Sequence, residues 1–120
     1  MSIFETSAGK LIGPTTGGTV TQATSKATGV TLNKASGQIT MDDAALAAAA
    51  EVSFTVTNSE IAATDVVLVN HASAGTAGSY LAQANSIAAG SFKITVANLS
   101  AGSLGEAIVL NFVAFKGSSS

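Results

Sequence analysis

The sequence predicts an all-β protein: an antiparallel β-sandwich of seven to eight strands, immunoglobulin-like or jelly-roll-like, with a flexible N-terminal arm. Three observations predict it. Apolar and polar residues alternate along several segments, Gly, Asn and Ser turn signals separate those segments at regular spacing, and only one stretch has strong helix propensity. A chain of 120 residues is long enough for one compact domain and too short for two of ordinary size. The organisation expected is an arm over residues 1–18 and a sandwich domain over 19–117.

The arm differs in texture from the rest. Phe4, Leu11 and Ile12 are spaced among Gly, Ser and Thr, Pro14 lacks the N–H a continuing ladder needs, and Gly17-Gly18 reads as a hinge. Strands follow from Thr19. The short ones are expected at Thr19 to Thr24, Gly29 to Leu32, Gln38 to Met41 and Tyr80 to Ala84, each bounded by turn residues. The segment Glu51 to Thr57 has period two, with Val52, Phe54 and Val56 on one face, and Ser91 to Ala97 repeats it with Phe92, Ile94 and Val96 inward.

Two further strands are apolar on both faces. Ala107 to Phe115 places Ile108, Leu110 and Phe112 on one side and Val109, Val113 and Phe115 on the other, and Val66 to Val69 is a continuous apolar run. Such strands are covered twice, and in a small domain the second cover is expected from another subunit. Between Met41 and Glu51, Asp42-Asp43 followed by an alanine-rich run predicts either a turn or one short helix, since alanine favours helix and Asp can cap its first turn. The absence of Cys and Trp leaves any immunoglobulin-like label purely topological.

Charge and composition exclude several functions. Hydrophobic residues make up 47% and charged residues 10%, against a usual charged share of about 25%, so part of the surface is apolar. The five basic residues are all lysines (Lys10, Lys26, Lys34, Lys93, Lys116), scattered against seven acids for a net charge of -2. This pattern offers no basic stripe for nucleic acid. Zero Cys removes disulfides, thiolate zinc sites and Cys nucleophiles. No apolar run approaches the ~20 residues of a membrane span, and the start lacks the basic and apolar regions of a signal peptide, so neither a membrane nor an export route is expected.

Candidate chemistry is sparse. His71 is the sole histidine, and Asp65 with the abundant serines completes a Ser/His/Asp set on paper, but triads are defined by geometry and no nucleophile motif accompanies it. A strand-end or interface role is expected for His71. Asp42-Asp43 lacks the loop of oxygen ligands that calcium takes and reads as a solvated turn. The glycine pair precedes a strand, so it fits neither a P-loop nor a dinucleotide fingerprint. A saccharide wall of Ser and Thr would want aromatic platforms, and Tyr80 is the only Tyr. No catalytic residue, metal or cofactor is expected. A small domain with so few charges and a mean hydropathy of +0.46 is expected to hide its doubly apolar strands by oligomerising.

The run GTVTQATSKATGVTLNK from Gly18 to Lys34, followed by GQITM from Gly37, resembles a module of tailed-bacteriophage structural proteins. The resemblance continues through AEVSFTVTNS from Ala50, DVVLV from Asp65, AGSFKITVAN from Ala89 and the strand through Asn111-Phe112, and covers roughly Gly18 to Gly117. It implies a small β-sandwich that trimerises and serves as a capsid decoration (cement) protein or as part of a tail fibre or spike, with no catalytic residues. It also implies a Gly in the turn before Glu51, where this chain has Ala49. Because the module is nearly the whole sequence, the expectation is a capsid-surface protein of the virion, assembled in the host cytoplasm. A homotrimer would bind the major capsid protein and use Phe4, Leu11 and Ile12 as apolar anchors against the shell. Two alternatives stand beside it: a receptor-binding tip using loops Ser73 to Ser79 and Asn98 to Glu106, and a disordered or self-packed tail in place of the arm.

Overall fold

The computed structural model describes residues 17–117 and contains eight strands: β1 Gly18–Thr21, β2 Val30–Thr31, β3 Ser36–Thr40, β4 Glu51–Thr57, β5 Val66–Ser73, β6 Tyr80–Ala88, β7 Ser91–Asn98 and β8 Val109–Phe115. They form two four-stranded sheets, sheet I in the order β1-β3-β8-β5 and sheet II in the order β2-β4-β7-β6. The all-β sandwich follows from the alternation. Phe54, Val56, Phe92, Ile94 and Val96 from sheet II meet Ile39, Val67, Leu110 and Phe112 from sheet I, all buried, with the Phe92 and Phe112 rings 5.5 Å apart between the layers.

The sheets are mixed, which corrects the expectation of a purely antiparallel sandwich. Strand β1 runs parallel to β3, and β2 parallel to β4, while the remaining pairs are antiparallel. Parallel neighbours need a long crossover, and here the chain supplies it by alternating between layers: β2 of sheet II lies between β1 and β3 in sequence, and β3 of sheet I lies between β2 and β4. Alternation identifies a strand; it does not name its partner.

The alanine-rich stretch takes the turn option, and no helix forms among the described residues. Leu46 exchanges both backbone hydrogen bonds with Leu104 at 2.8 and 3.0 Å. The fully buried Asn98 donates from Nδ2 to the carbonyls of Leu46 and Ala47 at 2.8 and 3.2 Å. These groups would otherwise carry the i to i−4 bonds of a helix. Ala49 then reverses the chain in the left-handed region at φ 60°. The strand expected at Thr19 to Thr24 stops at Thr21 because the buried Gln22 side chain organises the following loop: its Nε2 donates to the carbonyls of Lys26 and Thr28, and its Oε1 accepts from the Asp42 N–H. Strand β6 runs beyond the expected Ala84 through a bulge between Asn85 and Ala88, where Ser86 adopts φ 53°. Gly18, read as part of a hinge, is the first residue of β1 and pairs with Gly37.

Candidate interaction surface

The outward faces of the two sheets differ in chemistry. Sheet II turns Glu51, Ser53, Thr55, Lys93, Thr95, Gln83 and Asn85 outward, with Ser53 and Thr95 hydroxyls 2.7 Å apart and Asn85 Nδ2 donating to Thr95 Oγ1 at 2.9 Å. This is a mostly polar face whose side chains satisfy one another across strands, with Leu81 of the edge strand as an exposed apolar exception at 57%. Sheet I turns outward the cross-strand pairs Val66–Phe115 and Leu68–Val113, then Asn70–Asn111, with Val109 further along β8. Val66 and Leu68 are 53% and 55% exposed, far above what apolar side chains of the adjacent inward face show.

The cause lies in the local sequence. A one-residue step along a strand changes the face, and the run from Val66 to Val69 places an apolar residue at every step. Val67 and Val69 face inward, so Val66 and Leu68 cannot. The same holds for β8, where Leu110, Phe112 and Ala114 are buried and Val109, Val113 and Phe115 lie half-buried on the outside. Among the described residues nothing covers the second faces of these two strands.

At one end of the sandwich the structure brings His71 and Glu106 together with Tyr80. Glu106 accepts from the Tyr80 hydroxyl at 2.8 Å, from the Thr76 N–H at 3.0 Å and from the Thr76 hydroxyl at 2.8 Å. The Tyr80 bond, then those from Thr76, hold the Glu106 carboxyl below its ordinary range, while burial and the bond to Glu106 push the Tyr80 phenol up to about 12. His71 meets the Tyr80 ring edge-on at 5.3 Å, and its Nε2 donates to the carbonyls of Ser73 and Ala74. The carboxylate is thus occupied by the 73–79 loop and the imidazole N–H by backbone, so the cluster ties loop Ser73 to Ser79 to loop Asn98 to Glu106. Asp65, the acid of the paper triad, is elsewhere: it accepts from the Ala62 N–H at 2.9 Å and from Lys116 at 3.0 Å. The paper set is not assembled; His71 and Glu106 each meet Tyr80 instead, a three-residue arrangement that spans 35 positions and leaves no local spacing signal.

Asp42 is spent on its own turn, accepting from the Ala44 N–H at 2.8 Å, and no group of three or more metal-ligating side chains assembles among the described residues. Lys26 is buried and donates to the carbonyls of Asp42 and Glu106, pinning three loops. Burial lowers its pKa, an effect that Asp42, Asp43 and Glu106 oppose. Phe4, Leu11 and Ile12, the residues expected to bind a partner, lie outside the described residues, which begin at Gly17. No helix among the described residues is long and apolar enough to cross a membrane. Comparison with family models, curated proteins and solved structures finds no match to this chain.

Proposed function

We propose that this protein is a non-enzymatic structural component of a tailed-phage virion, a capsid decoration (cement) protein that forms homotrimers and stabilises the head through contacts with the major capsid protein. One observation carries the reading: a sandwich whose sheet II is mostly polar outside, Leu81 excepted, and whose sheet I presents the apolar cluster Val66, Leu68, Val113 and Phe115 is built to be covered on one side. The low charge content and the resemblance of Gly18 to Gly117 to phage structural modules support it. Each copy adds a modest apolar contact, at roughly 25 cal/mol per Å2, and repetition over a shell multiplies it. Phe4, Leu11 and Ile12 of the N-terminal segment are the further anchors of this proposal.

The test is addition of purified protein to expanded empty capsids. Saturable co-sedimentation, a raised capsid disruption temperature, and trimers by sedimentation equilibrium are the expected results. A monodisperse monomer at micromolar concentration that leaves capsids unaltered overturns the proposal. A second reading, a host-binding tip on a tail fibre or spike, draws on the single end surface that Glu106 makes of the 73–79 and 98–106 loops. Binding to host cells with none to capsids selects it.

A further inference from the structure

We propose that the free edge of β5 takes an extended segment of the shell partner as a fifth strand of sheet I. The main chains pair along Val66 to His71, and apolar side chains of the segment continue the Val66 and Leu68 face. The proposal rests on the capsid-binding reading and names how the shell is held. Two sheets of four strands leave four edges, β1 and β5 in sheet I and β2 and β6 in sheet II. Three of them are poor templates. Strand β2 is two residues long and β1 four. Strand β6 contains Ala82, Ala84 and Asn85, types that strands disfavour, and is then bent by the bulge between Asn85 and Ala88, with Ser86 at φ 53°. Strand β5 instead pairs in unbroken register from Val66 to His71, and its first four residues are Val-Val-Leu-Val. That stretch holds no Pro, Lys, Arg, Asp or Glu, the residues by which exposed edges are blunted.

Among the described residues, no backbone group from Val66 to Asn70 bonds outside the ladder with β8. Alternate residues of an edge strand point N–H and C=O away from that ladder, so six residues offer about three donors and three acceptors. The neighbours set the chemistry of the segment. A strand beside β5 brings every second side chain across from Val66 and Leu68, both more than half exposed, where a charge would lose water without gaining a partner. The flanking charges Asp65 and Lys116 already hold each other at 3.0 Å. The segment is therefore uncharged, with apolar residues at every second position. A second copy is the poorer occupant. Pairing β5 with β5 joins a strip of ~20 Å by ~10 Å, well below the ~800 Å2 per partner of a stable interface. Such a twofold contact also cannot close a threefold ring. A shell presents the same segment at many sites and keeps it close once other contacts form, so a short strand suffices.

Hydrogen–deuterium exchange of the full chain, free and bound to expanded empty capsids, reads the pairing when quenched and resolved by fragmentation mass spectrometry. The β5 amides that exchange quickly in the free protein are expected to slow about tenfold or more on capsids. The slowed amides alternate along Val66 to His71, while those of the β6 edge keep their free rates. Leu68→Lys sets a charge on the edge; Leu68 is exposed, so the unfolding transition persists, and the slowing is expected to be lost. Capsid binding with β5 exchange unchanged overturns the proposal and leaves the capsid-binding reading standing, as does equal slowing of β5 and β6. Slowing of β5 that grows with protein concentration in the absence of capsids also overturns it, in favour of a second copy. Failure to bind capsids at all overturns it together with the reading on which it rests.

Discussion

Replacing Ala49 by glycine should stabilise this protein. Ala49 occupies the left-handed region at φ 60°, in the turn that delivers the chain into β4. That conformation brings Cβ against the following carbonyl and costs an L-residue about 1 to 2 kcal/mol, which glycine does not incur. Against this, glycine gains freedom in the unfolded chain worth about 0.4 to 1 kcal/mol. The methyl group is exposed, so its removal forfeits no packing, and the hydrogen bond from the Ala49 N–H to the Asn98 carbonyl at 3.0 Å involves only backbone. The net gain is about 0.5 to 1 kcal/mol, or roughly 4 °C in melting temperature for a domain of this size. Thermal and urea unfolding followed by circular dichroism measure it. Ala48→Gly is the matched control: Ala48 is equally exposed but has no positive φ, so glycine there should destabilise. An Ala49→Gly midpoint equal to or below that of the parent, or a similar effect of both substitutions, would refute the reasoning.

The other predictions concern the polar and backbone constraints of the fold. Asn98→Ala strips the donors from the carbonyls of Leu46, Ala47 and Gly102 and the acceptor from Ser100. A loss of about 3 kcal/mol is expected in urea unfolding, and a loss under 1 kcal/mol would show that water replaces the side chain freely. Gly37→Ala would set a Cβ 2.6 Å from Leu32 Cδ2 and 2.8 Å from the Gly18 carbonyl oxygen. It should cost about 1 to 3 kcal/mol and accelerate amide exchange in β1, whereas unchanged β1 protection would contradict the contact. Asp65 is pushed up by burial but held lower overall by the Ala62 N–H, Lys116 and the Gly117 N–H. A carboxyl whose folded pKa is depressed contributes stability above its unfolded value, near 4, and loses it as pH falls through the folded value. The parent should therefore melt above Asp65→Asn at pH 7, and the gap should narrow as the pH falls below the ordinary carboxylate range of about 4. A gap independent of pH would remove the charge from the explanation.

Most strands are legible in the chain because period-two alternation is a local property. Val52, Phe54 and Val56 and then Phe92, Ile94 and Val96 face inward as their spacing requires, and the doubly apolar character of Val66 to Val69 and Ala107 to Phe115 marks the two strands that leave apolar side chains outside. The positive φ of Ala49 marks the turn before Glu51 as one that favours glycine, a backbone demand that the alanine run does not announce. The candidate surface was thus visible as a pattern of residues before its position was known. The His71 environment was not, since its cluster partner Glu106 is brought near only when the 98–106 loop folds back over β6.

Sequence alone determined the fold class, the inward set of side chains and the surplus of apolar residues, because alternation, turn chemistry and composition act within a few residues of one another. Tertiary structure decided the parallel pairings, the fate of the alanine-rich stretch and the location of the open apolar face. Each depends on which distant groups compete for the same hydrogen bonds: Leu104 and Asn98 take the groups a helix at Leu46 would have used, and β8 pairs with β3 on one edge and β5 on the other. No local propensity encodes that competition, so only the assembled sheets reveal which side of the molecule is left to be covered.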